Sequence, residues 1–60
     1  MSEPVAHAVR LLMAQYGDDG AIIAIMRAAE AAASGDLELA DHWEEVSKAI
    51  ETAEALRRDA

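Results

Sequence analysis

Ala21–Ser34, AIIAIMRAAEAAAS, is the stretch that decides what this chain can be. At about 100° per residue, Ile22, Ile25, Met26, Ala29 and Ala33 line up as one apolar stripe. The other face carries Ala21, Ala24, Ala28 and Ala31, so apart from Arg27 and Glu30 the segment is apolar nearly all round. A helix of that kind is buried on more than one side. It is therefore the predicted central helix, with Ile22, Ile25 and Met26 assigned to the core. The smooth alanine ridge admits close approach of another helix, either the third helix of the same chain or a symmetry mate.

Glycines bracket this segment and mark its neighbours. Upstream, Ser2 can cap a first helix with Pro4 in its opening turn, where the missing N–H costs nothing. Val5, Val9, Leu12 and Tyr16 then repeat at helical spacing, and Gly17 stands where a left-handed C-cap residue belongs. Asp18 or Asp19 can accept from the free N–H groups that open the second helix. Downstream, Gly35 closes that helix and Asp36 caps a third. The third stripe is Leu39, Trp43, Val46, Ile50 and Ala53, with Arg57 and Arg58 near the negative end. The reading is an all-α chain of three antiparallel helices, at about 4–16, 20–34 and 36–57, forming one domain over residues 1–60. The third helix outreaches the others at about 1.5 Å per residue, so Leu56 lies in an overhang.

Composition narrows the function. The chain has 60 residues, 5 basic and 12 acidic side chains, a formal charge of −7 and no cysteine. Packing alone must hold it, since neither a disulfide nor a thiolate metal site is available. No apolar run approaches the roughly 20 residues of a membrane span, and no secretory h-region opens the chain; a cytoplasmic protein is expected. An acidic surface repels phosphate backbones and anionic lipid, which disfavours direct nucleic-acid or membrane binding. Alanine fills 15 positions and buries little area, so a lone monomer is marginal and self-association adds the missing buried surface. Two aliphatics lie off their stripes: Leu11 by about 130° and Ile23 by about 120°. With Ala24, Ala28, Ala31 and Leu56 they are the interface candidates of a homodimeric helical bundle.

The chemistry-bearing residues do not assemble into an expected active site. Tyr16-Gly17-Asp18-Asp19 matches the metal-binding string of viral RNA polymerases, but that motif sits on a hairpin in a far larger domain, and here both flanks are helical. His42 shares a helix strip with Glu38 and Glu45, which is one fragment of a carboxylate-bridged metal site lacking its second Glu-x-x-His. His7 lies on the outer face near Arg10 and reads as solvated. Trp43, in mid-stripe, reads as a core anchor whose indole N–H needs an acceptor or a wet edge. No nucleophile with a paired base, glycine-rich phosphate loop or basic-aromatic patch is present. No catalytic residue, metal or cofactor is predicted. Between Asp36 and Glu54, seven carboxylates against one lysine leave a balance of −6. Glu38, Asp41, Glu44, Glu45 and Glu51 form its acidic face, either a solvated surface or one that occupies a basic site on another protein in place of a nucleic acid.

Ala8, Leu12, Tyr16-Gly17, the Ile- and Ala-rich second helix, Gly35-Asp36, Ala40, Trp43, Val46 and Ile50 occur in an order that resembles a family of short all-helical alphaproteobacterial proteins, a domain of unknown function. The resemblance covers residues 6–56 and implies the same helical layout; it brings no catalytic residues. The functional expectation is a non-enzymatic protein–protein interaction module, a small regulator or adaptor acting as a homodimer, with the acidic inhibitor as the competing class.

Overall fold

The computed structural model describes residues 1–59; the final position of the expected 1–60 domain lies outside the described residues. The chain is all-helical: α1 (Glu3–Tyr16), a 3-10 turn (Gly17–Asp19), α2 (Gly20–Ala33) and α3 (Leu37–Asp59), with no strand among the described residues. The first joint differs from expectation. From Glu3 to Ala33 helix follows helix through the 3-10 turn, one arm bent at Gly17, and the long α3 folds back against it.

The ends form as their side chains dictate. Ser2 Oγ accepts from the Val5 N–H at 3.4 Å and starts α1, with Pro4 in the first turn. Gly17 adopts φ 55° and ψ −123°, open only to glycine at low cost, and its N–H donates to the Met13 carbonyl. The 3-10 turn then carries the ladder on, with the Gly20 N–H donating to the Gly17 carbonyl. Asp19 therefore makes no side-chain cap, contrary to the expectation for the Asp18-Asp19 pair, because the preceding turn already orders the start of α2.

The second corner is tighter. The Gly35 N–H donates to the Ala32 carbonyl at 3.0 Å and the Asp36 N–H to the Ala31 carbonyl at 2.9 Å, a Schellman closure with Gly35 at φ 81°. Asp36 also opens α3, its Oδ1 accepting from the Leu39 N–H at 3.1 Å. One residue thus closes α2 through its backbone and caps α3 through its side chain.

The core inverts the predicted face of α2. Ala21, Ala24, Ala28 and Ala31 are buried, Ala24 completely, whereas Ile22, Ile25 and Met26 are 56%, 51% and 54% exposed. The ridge is covered within the chain, so Ala24, Ala28 and Ala31 are core and not a surface for a second molecule. Bulk comes from the other helices: Leu12 of α1 and Val46 and Ile50 of α3 are the largest fully buried side chains, with Val5, Ala8, Ala21 and Ala24 around them. Alanines opposite these residues let backbones draw close, and large against small interdigitates. Gly20 shows how close: a β-carbon there would stand 3.3 Å from the Leu12 carbonyl oxygen.

Candidate binding faces and a charged groove

Three surfaces carry the residues singled out by the sequence. The first is the outer side of α2, where Ile22, Ile25 and Met26 stand beside Ala29 and Ala33, all exposed and none charged. At about 100° per residue these five share an arc of about 100°. Between α2 and α3 this face runs into a furrow of Ile25, Ala29 and Ala32, floored by the buried Ala28 and rimmed by Glu44, Lys48 and Glu51. An apolar centre with a charged rim is the anatomy of an interface.

The second surface is the acidic side of α3. Glu38, Asp41, Glu44, Glu45 and Glu51 are all exposed. The sole ion pair among the described residues is Arg10–Glu3 at 3.3 Å, on α1, so none of the five is neutralised. That pair is itself well exposed and contributes little. Glu38 to Glu51 covers about 20 Å of helix axis, the rise of about six phosphates on one DNA strand.

The third surface was not legible beforehand. A groove between α1 and α3 is lined by Pro4, His7, Leu11 and Gln15 from α1, by His42 and Trp43 from α3, and by Arg27 from α2. The four α1 residues recur at intervals of three, four and four, one helical stripe, but the apolar pattern ran along a different face of α1 and drew the reading away. His7 is exposed as expected, yet it faces this groove, while Arg10 turns to Glu3. Leu11, an interface candidate, is exposed on the groove wall.

Trp43 is half-buried and packs on the core edge. The Arg27 guanidinium lies 4.9 Å from its ring centroid, and His42 meets the ring edge-on at 4.9 Å with a 70° interplanar angle. No buried side-chain polar atom among the described residues lacks a partner, so the indole N–H finds the wet edge and not an internal acceptor. His42 turns to this aromatic contact, and no three His, Asp or Glu side chains converge as a metal site among the described residues.

The remaining interface candidates separate. Ile23 is half-buried and packs against the core, so its role is intrachain. Leu56 is 67% exposed near the end of α3. No helix among the described residues is long and apolar enough to cross a membrane. Comparison with protein families, curated proteins and solved structures returns no match to this chain, and the surfaces themselves must carry the functional reading.

Proposed function

We propose that this chain is a non-enzymatic protein–protein interaction module, a small cytoplasmic regulator or adaptor, that works as a homodimer of its three-helix bundle, joined through the outer face of α2. The observation that carries the reading is the exposure of Ile22, Ile25 and Met26, three large apolar side chains left outside the core on one uncharged face. A chain of 6.4 kDa folded to ordinary compactness exposes about 3,800 Å²; this one exposes 4143 Å². A second copy is the partner the surface fits, because a single self-complementary helix face closes under a two-fold axis. The face itself brings no like charges together, although each chain carries −7.

Sedimentation velocity tests this directly. The wild type is expected to sediment as a dimer at micromolar concentration. Ile25→Glu is expected to sediment as a monomer with an unchanged helical circular dichroism signal, since position 25 lies outside the core. A wild type that stays monomeric overturns the reading.

The bare acidic side of α3 supports a second reading, an inhibitor that occupies a basic nucleic-acid site on another protein. Its test is salt-sensitive binding to an isolated basic domain, abolished by replacing Glu44, Glu45 and Glu51 with glutamine. Retention of binding by that triple variant removes the reading.

A further inference from the structure

We propose that the groove between α1 and α3 is a binding site for a small organic anion, a flat apolar acid whose carboxylate is received by Arg27. The groove's composition departs from that of the molecule. The chain carries 12 acidic side chains, yet no carboxylate lines the groove, while His7, Arg27 and His42 do. Leu11, Leu12 and Trp43 supply an apolar wall. A cation meets an arginine there, and a fully polar solute gains nothing from the wall; a negative headgroup on an apolar body suits both.

Arg27 is set up for the task. It is half-buried, it has no carboxylate partner among the described residues, and its guanidinium is held over the Trp43 ring. The Trp43 contact holds the guanidinium in place, and with no ion pair its N–H groups remain to pair with two carboxylate oxygens. The imidazoles of His7 and His42 and the Gln15 amide offer further donors around the rim. The groove holds about 300 Å³, the lower end of the range for ligand sites, so the occupant is a one- or two-ring acid. This site is distinct from the dimer face: none of Ile22, Ile25 or Met26 lines it.

The test is titration of the full chain with 2-naphthoate, followed by NMR at the Trp43 indole N–H and the Gln15 side-chain amide. Saturable shifts are expected with a Kd of about 1 mM or tighter, the strength usual for a ligand of this size. The neutral 2-naphthalenemethanol should bind about ten-fold more weakly, and the cationic 2-naphthylmethylamine not at all. Arg27→Gln should lose about ten-fold. Should that variant unfold, Leu11→Glu, which places a carboxylate on the exposed wall, should abolish binding in a folded chain. Absence of saturation, or equal binding of the neutral alcohol, overturns the proposal. So do shifts at the same groups on raising protein concentration alone, which would assign the groove to a carboxylate of a second copy.

Discussion

Gly17 and Gly20 sit three residues apart and are needed for different reasons. Gly17 has nothing within 4 Å of where a side chain would go, but its φ of 55° with ψ −123° strains any L-residue. Gly17→Ala is therefore expected to cost about 1–3 kcal/mol, purely as backbone strain, read from the urea midpoint at unchanged slope. Gly20 has ordinary helical dihedrals, φ −55° and ψ −43°, and an alanine there meets the backbone of Leu12, which cannot swing aside. Overpacking of roughly 1–3 kcal/mol outweighs a helix-propensity gain of up to about 1, so Gly20→Ala also destabilises, by about 1 kcal/mol. Gly17 was legible as a terminator from its place after the first stripe. Gly20 was not, because a glycine demanded by a crossing backbone leaves no mark in its own neighbourhood of sequence.

At the scale of elements, every end but the start of α2 was readable and one face was not. Ser2, Gly35 and Asp36 each bond locally, within a few residues, and their identities announce those bonds. Asp36→Ala should accordingly lower stability by about 1 kcal/mol in thermal unfolding. The buried side of α2 could not be chosen in the same way. Both of its faces are apolar, and ranking them by side-chain size pointed to Ile22, Ile25 and Met26. Distance between backbones decided otherwise: Leu12, Val46 and Ile50 already fill the interior, and only methyl groups fit against them. Paired substitutions expose the inversion. Ala24→Leu, at a fully buried position, should destabilise by about 2 kcal/mol or more, whereas Ile22→Ala should leave the unfolding of a dilute monomer within about 0.5 kcal/mol of wild type. The groove was hidden for a related reason: His7, Arg27 and Trp43 come from α1, α2 and α3, and no pattern along one segment reports what a neighbouring segment contributes.

For the molecule as a whole, an elongated outline of 39 × 21 × 17 Å goes with a radius of gyration of 11.3 Å, against about 10.4 Å for a chain of this length. The excess follows from the reach of α3 beyond the bent arm and leaves surface for association. The dimer proposed through α2 would make the melting temperature rise with protein concentration, and Ile25→Glu should remove that dependence. Added salt should favour the wild-type dimer, since it screens the repulsion between two chains of −7 each. The shared residue at the second corner sets a further limit. Because Asp36 ends one helix and begins the next, there is no slack in which an extra residue could be absorbed. Any insertion there would have to enter the helical ladder and turn everything after it by about 100°, carrying Val46 and Ile50 out of register with the alanines. This corner should therefore reject changes of length, the opposite of an ordinary surface connection.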